Sequence, residues 1–117
     1  PVLYDFYYYL SSESTTILEH NKWFAAFFVE RYGLGARDVV VEIGSNTGTQ
    51  LRYFKALGPK VLGVEPAENI ASLANEDGIE TLNRYFTLGT AEYIARSHGR
   101  SRCIVARHVF AHIDDLD

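Results

Sequence analysis

Two acidic residues and a glycine-containing loop lie at the ends of two apolar runs, in an arrangement suited to binding a nucleoside. The run Val39–Ile43 is mostly β-branched, as a buried parallel strand requires, and glycines follow it at positions 44 and 48. Such glycines let the backbone turn tightly and approach a ligand closely. Glu65 follows Gly44 by 21 residues, the spacing at which a carboxylate can hold both ribose hydroxyls of an adenosine. The pattern therefore predicts a site for an adenosine-containing cofactor.

The glycine loop departs from the pattern G-x-G-x-x-G, which binds the diphosphate of dinucleotides. Asn46 takes the place of the second glycine and Thr49 the place of the third. Glu42, at the tip of the preceding run, would repel a diphosphate but suits a cofactor that carries an ammonium and a sulfonium group. S-adenosylmethionine has both groups and no phosphate, so it is the favoured cofactor. A nicotinamide dinucleotide, and a tight turn that binds no ligand, stay as alternatives.

The elements that must position this site alternate between helix and strand. Apolar spacing predicts helices over residues 16–32, 49–57, 67–75 and 88–97, and strands over residues 39–43, 61–65, 79–82 and 103–109. This alternation is typical of parallel βαβ units and hence of a doubly wound α/β fold. Ligands of such folds bind beyond the carboxyl ends of the strands, where the glycine loop and the pair Glu65-Pro66 are expected to meet.

Composition narrows the class of protein. The chain of 117 residues is long enough for one domain, and its 47% hydrophobic content is enough for a buried core. Lys and Arg are scattered in a chain of net charge −4, so no nucleic-acid partner is expected. The apolar runs are too short to span a membrane. A lone Cys103 offers neither a disulfide nor a metal cluster, so we expect a cytoplasmic protein without a metal site.

Several motifs give the chain a resemblance to a known family. They are Glu42-x-Gly44-x-Asn46-x-Gly48, Gly63-Val64-Glu65-Pro66, Tyr9-Leu10-Ser11-Ser12-x-Ser14, His20 and Ala111-His112-Ile113. Together they resemble the S-adenosylmethionine-dependent sugar C-methyltransferases, which act on nucleotide-linked deoxysugars, and the likeness covers nearly all of the chain. The resemblance implies a Rossmann-like parallel sheet in the order 3-2-1-4, of which this chain supplies about four of the family's seven strands.

The resemblance also assigns cofactor-binding roles by position. It implies contacts at Glu42, Gly44, Ser45, Asn46 and Glu65, with Phe86 lying against the adenine. Gly48 and Pro66, in the same two loops, and His108, near the end of the fourth strand, complete the predicted cofactor site. Arg107 and His108 stand where the family usually has asparagine or a similar polar residue, so the fourth strand departs from the family pattern there.

His112 and Tyr9 are the predicted catalytic residues, because the resemblance places both near the transferred methyl group. Methylation of carbon requires removal of a proton alpha to a carbonyl, and a histidine such as His112, which follows the fourth strand, is the usual base. Tyr9 would hold the carbonyl or enolate oxygen. Two structural alternatives stay open: that His112 caps a helix that begins at Asp114, and that Tyr9 is one more packing aromatic.

The acceptor implied by the resemblance is a small molecule of nucleotide-sugar type. Transfer to an oxygen or nitrogen of a small molecule, a non-catalytic cofactor-binding module and a nicotinamide-dependent dehydrogenase are the alternatives. The family's cysteine-rich zinc module and its acidic–histidine pair beyond the fourth strand are absent from this sequence, so we expect a fragment of one methyltransferase domain. Residues 1–35 would be an arm and a helix, and residues 36–117 the βαβ units. The apolar fourth strand would then form a sheet edge, where self-association is expected.

Overall fold

Helices and strands alternate in the computed structural model, which describes residues 15–99 and 103–105. The helices are α1 (Thr15–Tyr32), α2 (Thr49–Ala56), α3 (Glu68–Glu76) and α4 (Leu88–His98), and the strands are β1 (Val39–Ile43), β2 (Lys60–Val64), β3 (Thr81–Leu82) and β4 (Cys103–Val105). Except in β3 and β4, their bounds agree with the predicted ones to within one residue. Residues 106–109 of the predicted fourth strand lie outside the described residues. None of the four helices is long and apolar enough to cross a membrane.

The described strands form one parallel sheet in the order β3-β2-β1-β4. β1 is a central strand, since Glu42 pairs in register with Gly63 of β2 on one side and with Val105 of β4 on the other. The structure thus confirms the predicted α/β class and the predicted strand order. Because the strands are parallel, the loops that follow β1, β2 and β3 leave the sheet at the same edge.

Both faces of this sheet are covered, which explains the composition of β1. All five residues of the strand are buried, and successive side chains point to opposite faces. Val40 packs with Phe54 of α2 in one apolar cluster, whereas Val41 packs with Phe86 and Ile94 in a second cluster on the face that α4 covers. A strand that is buried on both faces needs apolar residues at consecutive positions, as the sequence provides.

The structure corrects the start of the third strand. Ile79, which the pattern assigns to the strand, instead closes the end of α3: its N–H donates to Ala74 O at 3.0 Å, and the N–H of Gly78 donates to Asn75 O at 3.0 Å. Gly78 has a left-handed φ of 85°, so the helix ends in a Schellman motif. Pairing with β2 therefore begins only at Thr81.

β4 lies at one edge of the described sheet. Cys103, its first residue, is half-buried and packs against the cluster that contains Val40 and Phe54. Burial raises the pKa of the Cys103 thiol, because removal from water disfavours the charged thiolate. Cys103 therefore packs as a small, uncharged side chain at the edge of the core.

Candidate cofactor site

The loop between β1 and α2 has a tightly coiled backbone. Gly44, Asn46 and Gly48 all take left-handed φ values, of 71°, 58° and 87°. Asparagine is among the few residues other than glycine that enter this region readily. A Cβ atom on Gly48 would lie 3.0 Å from the side chain of buried Ile79, so this position also lacks room for a side chain. The sequence thus places glycine or asparagine where the turn requires them.

Each backbone N–H of this loop, residues 44–48, already donates to an acceptor within the chain. The pairs are Gly44 N to Val64 O (2.7 Å), Ser45 N to Val64 O (3.3 Å), Asn46 N to Glu65 Oε1 (2.9 Å), Thr47 N to Asn46 Oδ1 (2.8 Å) and Gly48 N to Ser45 O (3.0 Å). Phosphate-binding loops instead direct such N–H groups at the ligand. The loop therefore offers no backbone cradle to a diphosphate, which argues against a dinucleotide.

Glu65 ties the glycine loop to the loop that follows β2. Its side chain is fully buried; Oε1 accepts the N–H of Asn46 and Oε2 accepts the N–H of Ala67, both at 2.9 Å. A carboxylate has about four acceptor positions, so these two bonds are compatible with further bonds to hydroxyl groups. Glu65 is thus held in place by the chain at the point where the sequence predicts a ribose.

Ser45 and Gly63 account for how closely the glycine loop approaches β2. Ser45 is buried, and a Cβ atom on Gly63 would overlap its hydroxyl and lie 2.9 Å from its Cβ. Glycine at position 63 therefore creates the space that the loop occupies. Sequence reasoning assigned no role to Gly63, because nothing in the local pattern shows that residue 45 packs over it.

Asn83 is a second residue whose part in the site sequence reasoning missed. Its Nδ2 donates to Glu65 O at 3.1 Å and to Pro66 O at 3.0 Å. These bonds fix the start of the loop after β2 against the end of β3. The available signal was the position of Asn83 directly after a strand next to β2, at the edge where the other site residues lie.

Phe86 lies in the apolar core on the face that α4 covers. There it lines a cavity of about 230 Å³ together with Val41 of β1 and Ile94 of α4. Its proposed contact with an adenine stays a prediction.

Most of the predicted cofactor residues come together at one edge of the sheet. Glu42 is buried one residue before the end of β1. The loop that carries Ser45 and Asn46 packs on the end of β2, next to Glu65 and Pro66. His108, His112 and Tyr9 lie outside the described residues.

Comparison with known proteins shows the family to which this chain belongs. The family model described as "Methyltransferase domain" matches residues 17–117. The chain belongs to this methyltransferase family. It is also 44% identical over 115 residues to the C-methyltransferase NovU of Streptomyces niveus, a match that covers 98% of this chain and 27% of that protein. The chain thus spans 27% of the length of this curated relative.

Methyltransferases of this family in general use S-adenosylmethionine, and the residues of this methyltransferase domain fit that cofactor. Glu42 and Glu65 are acidic side chains at the ends of neighbouring strands, suited to an ammonium or sulfonium group and to ribose hydroxyls. Within the part of the chain that the structure describes, Ser45 Oγ and Asn46 Nδ2 are buried and have no hydrogen-bond partner. Buried polar atoms of this kind are rare in proteins and are common where a ligand completes the bonding.

Proposed function

We propose that this protein transfers a methyl group from S-adenosylmethionine to a carbon alpha to the keto group of a nucleotide-linked deoxysugar. The main support for the cofactor is the hydrogen bond between Glu65 and the glycine loop. The backbone N–H groups of that loop all donate to acceptors within the chain, which leaves none for a diphosphate. The family match supports methyl transfer. The name of the relative from Streptomyces niveus supports carbon as the acceptor atom, and the sugar rests on the motifs that resemble sugar C-methyltransferases.

In this proposal some residues of the chain bind the cofactor and others act on the acceptor. When bound, S-adenosylmethionine supplies an electrophilic methyl group on a sulfonium. Glu65 would hold the ribose hydroxyls, and Glu42 would face the positively charged groups. His112 would accept the proton removed from the carbon next to the keto group. The hydroxyl of Tyr9 would donate to the keto oxygen and stabilise the negative charge that develops there.

Calorimetric titration with S-adenosylhomocysteine and, separately, with NAD tests the cofactor assignment. We expect S-adenosylhomocysteine to bind in the micromolar range and NAD to give no binding heat, because the glycine loop has no backbone N–H left for a diphosphate. Circular dichroism establishes that the titrated protein is folded. A folded protein that bound NAD in preference, or neither ligand, would contradict the proposal.

Substituting alanine for His112 tests carbon as the acceptor atom. If His112 is the general base, H112A lowers kcat by about a hundredfold or more and leaves the affinity for S-adenosylhomocysteine unchanged. The measurement is transfer of a labelled methyl group to nucleotide-linked keto-deoxysugars. His98→Ala is the matched control, since His98 bonds Glu80 and Ser97 at the far end of α4. Turnover of H112A close to that of wild type would instead favour an oxygen or nitrogen acceptor.

We propose that the partner of this chain is a second copy of it, bound through the edge strand β4. β4 pairs with β1 and forms an edge of the described sheet, and the backbone groups of an apolar edge strand readily pair with another strand. Native mass spectrometry of this chain at micromolar concentration is expected to show a dimer. A monomer that is stable to heating would contradict this expectation.

A further inference from the structure

The outer side of α1 exposes two large aromatic side chains. Trp23 is 59% exposed and Phe27 is 39% exposed, and their ring centroids lie 5.4 Å apart. Together with Ala26, Glu30 and Arg31 they line a groove of about 470 Å³. Single apolar side chains on a surface need no explanation, whereas adjoining apolar rings with charged residues at the rim are typical of a surface that another segment contacts. The outer side of α1 is therefore a candidate docking surface.

The opposite side of α1 packs against α2 and the sheet. Asn21 and Ala25 are fully buried, and Asn21 O accepts a hydrogen bond from Gln50 Nε2 of α2 at 2.7 Å. Ala25 belongs to the apolar cluster that contains Phe54. These contacts fix how the helix is rotated. Covering Trp23 therefore requires a further segment, because a rotation that buried it would expose Asn21 and Ala25.

An aromatic segment of this chain precedes α1 and is long enough to reach the groove. Residues 4–8 read Tyr-Asp-Phe-Tyr-Tyr, so four of the five are aromatic. They lie outside the described residues, and the described structure begins at Thr15, the first residue of α1. Residues 9–14 span about 20 Å when extended. Trp23 lies only about 12 Å along the helix from Thr15, so the chain can turn back and reach it.

The spacing of the aromatic residues in this segment matches the spacing along the helix. In an extended segment alternate side chains point to the same side and lie about 6.6 Å apart, which puts Tyr4, Phe6 and Tyr8 together. Trp23 and Phe27 are four residues apart, which is about 6 Å along a helix axis. A segment that returns from the helix N-terminus therefore brings Tyr8 to Trp23 and Phe6 to Phe27.

The polar groups of the segment fit the same arrangement. Asp5 is the only charged residue among residues 1–12, and the alternation turns it away from the groove and towards solvent. Tyr4 then lies at the far end of the groove, where Glu30 and Arg31 line it. A tyrosine pairs an apolar ring with a hydroxyl group that needs a partner, and these two charged side chains provide one.

We propose that residues 4–8 run back along α1 and pack Tyr4, Phe6 and Tyr8 into the groove beside Trp23 and Phe27. The chain thereby covers this apolar surface with its own N-terminal segment. Asn21 bonds the second residue of α2, so the same packing holds the chain near the start of α2, at the sheet edge where the glycine loop lies. The inference does not depend on the proposed methyl transfer.

The fluorescence of Trp23 tests this packing, because Trp23 is the only tryptophan of the chain. The triple variant Tyr4→Ser/Phe6→Ser/Tyr8→Ser keeps the length of the segment and removes its inward rings. Packing brings Trp23 from 59% exposure to the high burial usual for tryptophan, so we expect acrylamide to quench wild type about half as efficiently as the variant. Tyr85→Ser is the control, since Tyr85 is equally exposed in the loop before α4, and it should behave as wild type.

A substitution in the groove tests the same contact from the other side. Ala26→Glu places a charge there without disturbing α1, because Ala26 is exposed and glutamate is a good helix former. Chymotrypsin cleaves after tyrosine and phenylalanine, so cleavage within residues 4–8 measures how often the segment leaves the groove. We expect cleavage about tenfold faster in A26E than in wild type, since the rate follows the released population. Leu73→Glu, at an exposed apolar position of α3, is the control and should leave the rate unchanged.

The outcomes distinguish residues 4–8 from other segments that could cover the groove. Protection of Trp23 that is lost in the triple variant and does not vary with protein concentration supports the proposal, as does faster cleavage in A26E alone. Wild type that is quenched as readily as the triple variant would overturn it. Protection that persists in the folded triple variant, or that grows with concentration, would mean that another segment or a second copy lies there. If circular dichroism shows the triple variant to be unfolded, equal cleavage rates in A26E and wild type still overturn the proposal.

Discussion

Replacing Glu65 with alanine is expected to abolish measurable binding of S-adenosylhomocysteine and to lower the free energy of unfolding by about 2–6 kcal/mol. The stability loss follows because the buried N–H of Asn46 and the part-buried N–H of Ala67 both lose their acceptor, at about 1–3 kcal/mol for each unpaired donor. The binding loss follows because the carboxylate that would hold the ribose is gone, along with the bond that positions the glycine loop. Calorimetry and denaturant unfolding measure the two effects.

Two further variants separate the hydrogen bonds of the Glu65 carboxylate from the effect of net charge. Glu68→Ala is the matched control, because Glu68 is an exposed acidic residue in the first turn of α3 and its removal changes the net charge equally. We expect wild-type binding and stability from it. Glu65→Gln keeps the shape of the side chain but turns an N–H₂ group towards one of the two backbone donors, so an intermediate loss is expected. Equal losses in Glu65→Ala and Glu68→Ala would contradict the specific role of Glu65.

The position of Glu65 could be predicted from the sequence, whereas its partners could not. Spacing from Gly44 identifies an acidic residue at the end of the second strand, and that is where the structure has it. The spacing does not show that Asn46 and Ala67 donate to the carboxylate, because those bonds depend on how two loops meet in space. Sequence alone therefore suggests a ligand-binding acid, and the structure adds that the same group joins two loops.

The fold could be predicted further than the site because its signals are local. The run Val39–Ile43 has the apolar composition of a strand buried on both faces, and it forms that strand. The third strand was predicted to begin too early because Ile79 is apolar in either role. Its hydrogen bond to Ala74, which ends α3, depends on backbone geometry that an apolar pattern does not contain.

The contributions of Asn83 and Gly63 arise from contacts between distant segments. Asn83 holds carbonyl groups that are 17 and 18 residues away in the sequence. Gly63 matters because Ser45, on another loop, packs over it. Such contacts follow from the strand order and register, so they become visible only once the sheet is assembled. A glycine within a strand does signal close approach of another chain segment, although it does not say which one.

Gly63→Ala is expected to lower the free energy of unfolding by about 3 kcal/mol and to weaken S-adenosylhomocysteine binding more than tenfold. The new Cβ would overlap the Ser45 hydroxyl, lie 2.9 Å from Ser45 Cβ and lie 3.1 Å from Thr81 Oγ1. Ser45 and Thr81 are buried, so neither side chain can swing into solvent, and overpacking of this kind costs about 1–3 kcal/mol. Denaturant unfolding and calorimetry give the two quantities.

A compensating substitution separates the overlap from other effects of changing β2. Ser45→Gly in the Gly63→Ala background removes the two atoms that lie nearest to the new Cβ, so it should recover most of the lost stability and part of the binding. Gly35→Ala is the control, because a Cβ there has no atom within 4 Å, and we expect no loss. Failure of Ser45→Gly to recover stability would mean that the overlap with Ser45 is not the cause of the loss, and that the contact with Thr81 or the backbone of β2 itself requires glycine at position 63. Recovery of stability together with binding would show that the distance between the glycine loop and β2 determines whether Asn46 and Glu65 can meet the cofactor.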